Sequence, residues 1–184
     1  MHYGMIKKCD IANGEGIRTT LFVSGCRNRC KGCFQPQTWD FSYGEPFTPE
    51  VEEQIFSTFS NPVVRGLTLL GGEPMEPENQ QALYPFLLRF KEKFPDKTVW
   101  LYTGNTYEEL IGISGSSEKH LPITENLLSL VDILVDGRFV EELKSLGLRF
   151  RGSSNQRVID MNKTRELGRV VIWDGCKEDK QYKK

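Results

Sequence analysis

The chain has 184 residues, of which 38% are hydrophobic, 27% charged and 11% aromatic, the balance of a globular domain rather than a disordered chain. Its formal net charge of -1 excludes the strongly basic footprint of a nucleic-acid backbone binder, and no run of ~18 apolar residues offers a membrane span. The length predicts one domain, placed over residues 1–176 with a charged, flexible tail over 177–184, and the start lacks the apolar core of a signal peptide, which predicts the cytosol.

In chain order, the β-branched run Ile17–Ser24 predicts a strand. A helix is predicted over Thr48–Phe59, with Thr48 as N-cap, Pro49 in the first turn, and Val51, Ile55 and Phe59 four apart. Gly66–Leu70 reads as a second strand, ended by Gly71-Gly72. Helical spacing returns over Glu78–Phe94 at Leu83, Phe86, Leu87 and Phe90, but Pro85 predicts that this helix kinks, splits or starts near Tyr84. Thr98–Tyr102 is a third strand, followed by a weak helix over Thr106–Ile111, a Gly/Ser-rich loop over Gly112–His120 and a short helix closing at Leu127–Leu130. Val131–Val135 is a fourth strand and Phe139–Leu146 a further helix, with later strands expected near 148–150, 157–159 and 170–173. Alternating strands and helices predict a parallel sheet of the α/β class, and a full eight-fold barrel needs ~250 residues, so the expectation is a partial, open β/α barrel or an open sheet. In either architecture ligands bind at the carboxyl ends of the strands.

Unusual residues gather at those ends. Cys26-Arg27-Asn28-Arg29-Cys30-Lys31-Gly32-Cys33, a C-x3-C-x2-C loop, follows the first strand. Gly71-Gly72-Glu73-Pro74 follows the second, Tyr102-Thr103-Gly104 the third and Asp136-Gly137-Arg138 the fourth. Five cysteines, three of them within eight residues, suit a metal loop better than a disulfide framework. Three thiolates can hold three irons of a [4Fe-4S] cube and leave the fourth open to a substrate. Arg27, Arg29 and Lys31 are expected to favour thiolate over thiol. The spacing alone leaves open a zinc site completed by Cys9, Cys176, His2 or His120.

The C-x3-C-x2-C loop followed by Phe34, paired with Gly71-Gly72-Glu73-Pro74, resembles the radical S-adenosylmethionine superfamily. The segments Asn13–Gly25, Thr38-Trp39, Glu45–Thr48, Trp100–Gly104, Val135–Phe139 and Arg151–Gln156 resemble the activating enzymes of glycyl-radical proteins, within them the branch serving anaerobic ribonucleoside-triphosphate reductase. The resemblance implies an oxidoreductase with two cofactors, a [4Fe-4S] cluster and S-adenosylmethionine. Reductive cleavage of S-adenosylmethionine gives a 5′-deoxyadenosyl radical, which takes hydrogen from a backbone glycine of the partner, the reductase large subunit. A one-electron donor such as a flavodoxin is implied as a second partner.

By the same resemblance, Cys26, Cys30 and Cys33 are the cluster ligands and the catalytic centre. Gly32, Cys33 and Phe34 lie against the cofactor, Gly71, Gly72 and Glu73 meet its methionine end, and Thr103 and Asp136 are further cofactor contacts. Tyr102 and Gly104 line the site or merely end a strand, and Arg138 contacts cofactor or partner or forms a surface salt bridge. Arg151–Gln156 is a candidate docking segment for the reductase. Cys9 and Cys176 are read as bystanders, His2 and His120 as surface residues, and Trp39, Trp100 and Trp173 as packing. The competing readings are an activase of another glycyl-radical enzyme, a small-molecule radical enzyme, and a zinc-stabilised adaptor without catalysis.

Overall fold

A computed structural model describes residues 1–115 and 117–176 of the chain; the charged tail expected over 177–184 lies outside the described residues. The strands are β1 (His2–Asp10), β2 (Ile17–Val23), β3 (Glu45–Pro46), β4 (Val64–Gly71), β5 (Thr98–Tyr102), β6 (Ile133–Asp136) and β7 (Arg157–Asp160). The helices are α1 (Pro49–Ser57), α2 (Pro77–Lys93), α3 (Tyr107–Leu110), α4 (Thr124–Ser129) and α5 (Met161–Leu167). All seven strands join one sheet in the order β3-β1-β2-β4-β5-β6-β7. Pairing is parallel through β2, β4, β5 and β6. It is antiparallel where β1, β3 and β7 extend the sheet. The sheet does not close: β3 and β7 are its two edges. The expected open α/β sheet is therefore present, with antiparallel flanks that the sequence did not announce.

Register sorts side chains into two faces, since residues alternate along each strand. Leu21, Leu69, Leu101, Leu134 and Ile159 form one row. They share a core with Phe56, Phe86, Leu127 and Met161, so the helices cover this face. Phenylalanines fill it; Phe56 stacks on Phe86 at 5.6 Å and Phe59 meets Phe90 edge-on at 4.9 Å. The opposite face carries the row Phe22, Leu70, Tyr102, Val135 and Val158. A smaller cluster of Trp100, Ile133, Val135, Val158 and Cys176 covers part of it, with Phe150 and Trp173 against it. Nearer the strand starts, Arg18 is 1% exposed and donates to Thr68 Oγ1 at 2.7 Å, Leu67 O at 2.8 Å and Thr98 O at 2.9 Å. Burial lowers its pKa to about 10, so it stays charged at neutral pH, over the Trp100 ring at 5.4 Å.

Some elements differ from expectation. α2 runs unbroken through Pro85 rather than splitting. Gln81, whose carbonyl loses its usual donor, is exposed to water, while Leu83, Phe86, Leu87 and Phe90 are fully buried. The helix expected over 139–146 is only a 3-10 turn at Glu141–Leu143, because Leu143 and Leu146 are 44% and 96% exposed and no apolar stripe is buried. The strand expected near 148–150 is a bend between the bridged residues Lys144 and Ser153, and the one expected near 170–173 reduces to an isolated bridge of Ile172 with Ile159. Thr48 stands at the N-cap of α1 without a capping side-chain bond, whereas α3 has a full capping box between Thr106 and Glu109. No helix among the described residues is long and apolar enough to cross a membrane.

Candidate functional site

The carboxyl ends of β2, β4 and β5 open on one cavity of about 430 Å³, within the ~300–1,000 Å³ usual for small-molecule sites. Cys26, Cys30, Gly32, Cys33 and Phe34 line it from the loop after β2. Gly71, Gly72 and Glu73 line it from the end of β4, and Tyr102, Thr103 and Gly104 from the end of β5. Phe139, Leu146 and Gly152 close the remaining side. Asp136 is not in this lining. It is fully buried, accepts from Tyr107 N at 2.8 Å, and is paired with Arg157. Burial holds the Asp136 carboxyl above its usual range while Arg157 pulls it down.

The cysteine loop is held by backbone and by the β4–α2 connection. Gly25 N donates to Thr38 O at 2.8 Å and Cys26 N to Trp39 O at 3.2 Å, within reach of a short 3-10 turn at Pro36–Trp39. Glu73 N donates to Gly25 O at 2.8 Å, and Asn79 Nδ2 donates to Ser24 O at 3.0 Å. Gly71 has φ +108°, and a Cβ there would stand 2.8 Å from Val23 O; one at Gly72 would stand 2.6 Å from Gly25 O. These two glycines therefore permit the close approach of the two loops to each other.

Glu73 is the hinge of this contact. Its side chain is 1% exposed, and Oε2 accepts from Asn28 Nδ2 at 2.8 Å, Gly104 N at 2.8 Å and Asn105 Nδ2 at 3.4 Å. Oε1 accepts from Met75 N at 3.0 Å. Burial raises the Glu73 pKa, and the Gly104 and Met75 amides oppose the rise. The carboxylate thus ties the cysteine loop, through Asn28, to the end of β5, through Gly104 and Asn105. Asn28 and Asn105 carried no signal in the sequence beyond their place in two loops that flank the motif.

Arg27 and Lys31 do not act as expected. Arg27 pairs with Glu76 at 2.6 Å and Glu78 at 2.5 Å, and Lys31 with Glu141 at 3.1 Å. Their charge is answered locally. Burial, with Glu73 nearby, pushes the Cys26 thiol up to about 11, and burial raises Cys30 as well, against the pull of Arg138. Cys26 and Cys30 therefore favour the thiol, and a metal centre that binds them must displace their protons.

The donor set fits a cluster better than a single zinc ion. Tetrahedral Zn–S bonds of ~2.3 Å would bring the sulfurs about 3.8 Å apart. A cube binds each cysteine at a separate iron, so three thiols of one loop can each take one. None of the four supplementary zinc ligands lines the cavity. Cys9 is exposed, Cys176 is buried in the tryptophan cluster, and His120 Nδ1 pairs with Leu110 O at 2.7 Å. Two cavity-lining residues, Trp39 and Tyr102, bury an indole N–H and a hydroxyl with no protein partner among the described residues. The polar segment 151–156, in which Gly152 and Asn155 stay exposed, is tied to the loop after β6: Gln156 Oε1 accepts from Gly152 N at 2.9 Å, Gln156 Nε2 donates to Gly137 O at 2.9 Å, and Asn155 Nδ2 to Arg138 O at 2.8 Å. It locks the loop after β6 in place.

Residues 12–159 match a family described as a 4Fe-4S single cluster domain. The chain is 42% identical over 158 residues to a Vibrio cholerae protein named anaerobic ribonucleoside-triphosphate reductase-activating protein, covering 85% of this chain and 96% of that one. Proteins of the same name are similar at 37% identity in Escherichia coli K12, with 86% and 97% coverage, and at 36% in Enterobacteria phage T4, with 86% and 93%.

Proposed function

The chain belongs to the family of anaerobic ribonucleoside-triphosphate reductase-activating proteins, and from that premise we propose that its cavity binds S-adenosylmethionine beside a [4Fe-4S] cluster held by Cys26, Cys30 and Cys33. It is an activating enzyme, and its partner is the reductase. One observation carries the reading: the three cysteines, Gly71-Gly72-Glu73 and the end of β5 line a single cavity at the carboxyl edge of the parallel strands. The finer architecture we assign is a partial β/α barrel of the radical S-adenosylmethionine type.

The chemistry such a cluster supplies with S-adenosylmethionine is one-electron cleavage of a carbon–sulfur bond, the source of a radical able to take hydrogen from a glycine Cα. The chain's own residues bind and orient. Cys26, Cys30 and Cys33 would each hold one iron of the cluster and would leave the fourth for the cofactor's methionine end. The backbone at Gly71 and Gly72 meets the ammonium, while the Glu73 carboxylate, already engaged by four internal donors, fixes the two loops that form the wall. Gly32, Phe34 and Thr103 line the wall for the nucleoside end. Asp136 serves the scaffold through Arg157 and Tyr107. Electrons come from an external one-electron donor, such as a flavodoxin.

Anaerobic reconstitution with iron and sulfide, then reduction and addition of S-adenosylmethionine, tests this. The expected result is 5′-deoxyadenosine, and with the reductase a glycyl-radical signal in electron paramagnetic resonance. Replacing Cys26, Cys30 or Cys33 by Ala abolishes both, while Cys9→Ala and Cys176→Ala retain them. Cleavage at the wild-type rate by Cys30→Ala, or stoichiometric zinc with no cluster, overturns the assignment.

A further inference from the structure

The residue three places beyond Glu73 is itself a buried acid. Glu76 is 0% exposed and stands immediately before the first residue of α2, Pro77. Its Oε1 accepts from the backbone N–H of Arg27 at 2.7 Å and from Lys119 Nζ at 2.7 Å; its Oε2 accepts from Arg27 Nη1 at 2.6 Å. Lys119 is 6% exposed, and its carbonyl accepts from Gln80 Nε2 at 2.7 Å and Thr124 Oγ1 at 3.0 Å. A carboxylate in such a place is tolerated only because charges and donors surround it. The peptide it grips is the one that joins Cys26 to Arg27.

We propose that Glu76 is a positioning residue for the cluster: its carboxylate oxygen holds the Arg27 amide and so fixes the backbone from which Cys26 projects. This rests on the assignment of Cys26 as a cluster ligand. Two features separate the contact from ordinary core packing. Arg27 has a second carboxylate, Glu78, at 2.5 Å, and its guanidinium lies 4.3 Å from the Phe41 ring centroid, so its side chain is anchored without Glu76. The backbone amide of Arg27 has no such substitute. An acceptor at the end of the Glu76 side chain is therefore what the loop requires, and the charge is answered by Lys119.

Paired variants isolate the acceptor. Lys119→Met removes the partner charge, and Glu76→Gln or Glu76→Leu is placed on that background. Gln keeps an oxygen for the Arg27 amide and Leu does not, while replacement of a buried ion pair by uncharged groups is often neutral for stability. Iron release from the reconstituted protein to a chelator, without oxygen, is the first readout. The Leu variant is expected to lose iron about tenfold faster than the wild type, and the Gln variant to stay within about twofold, while the Leu variant's urea midpoint falls by no more than one lost hydrogen bond accounts for. Hydrogen exchange at the Arg27 amide in the cluster-free chain is the second, with protection kept by Gln and lost by Leu. Iron release from the Leu variant at the wild-type rate, or equally fast release from both, overturns the proposal. A wild type that takes up no iron but protects the Arg27 amide refutes the cluster assignment and leaves the grip of Glu76 on the loop standing.

Discussion

A Glu73→Gln replacement pits two effects against each other. The uncharged amide is spared the desolvation that raises the Glu73 pKa. It also turns one oxygen into a donor, facing either Met75 N or the trio of Asn28, Gly104 and Asn105. A buried donor left without its acceptor costs ~1–3 kcal/mol, and bonds to a charged acceptor are the stronger kind. The second effect wins, and Glu73→Gln is expected to destabilise the cluster-free protein by about 1–2 kcal/mol in urea unfolding. A variant as stable as the wild type would show that the carboxylate does not tie the loops. At this scale the cysteines and the Gly-Gly-Glu turn were legible, because close spacing and paired glycines are local signals. Asn28, Asn105 and Glu76 were not, since each matters through a partner distant in sequence. Nor did the local sequence show that acids from other segments would answer Arg27 and Lys31.

Among elements, α2 poses the sharpest test of propensity against packing. Proline inside a helix removes a donor and crowds the preceding turn, at ~3 kcal/mol or more. Here the freed carbonyl belongs to exposed Gln81, and four fully buried side chains carry the helix past the break. Pro85→Ala restores the donor but enlarges the unfolded ensemble, an opposing effect of ~0.4–1 kcal/mol. The net expectation is a gain of about 1–2 kcal/mol, read from the urea midpoint at unchanged slope. A loss instead would mean that the ring of Pro85 packs in a way alanine cannot replace. The same contest explains what could be read in advance. Thr98–Tyr102 coincides with β5 because a β-branched and aromatic run agrees with its buried setting. Phe139–Leu146 has helical spacing, but Leu143 and Leu146 stay exposed against the described residues, so spacing alone misled. β1 escaped notice because its burial is mixed along its length and Lys7 and Lys8 interrupt its apolar residues.

For the whole molecule, the division of the sheet into two faces decides what the cluster has to do for the fold. The helix-covered face holds the larger core, from Leu21 through Phe86 to Ile159, and none of its buried members is a cysteine. The site stands at the strand ends, and its loops are joined by protein hydrogen bonds: Gly25 N to Thr38 O, Glu73 N to Gly25 O, and Arg27 N to Glu76. A zinc finger differs, since there the metal supplies most of the folding energy. Chelation of the iron is therefore expected to leave a cooperatively folded protein with its far-ultraviolet circular dichroism intact. Its thermal midpoint should fall by the amount that binding to the native state alone provides. Loss of the cooperative transition on chelation would show that the cluster is part of the core. Retention of it would mean that the sheet presents a preformed loop to the incoming cluster.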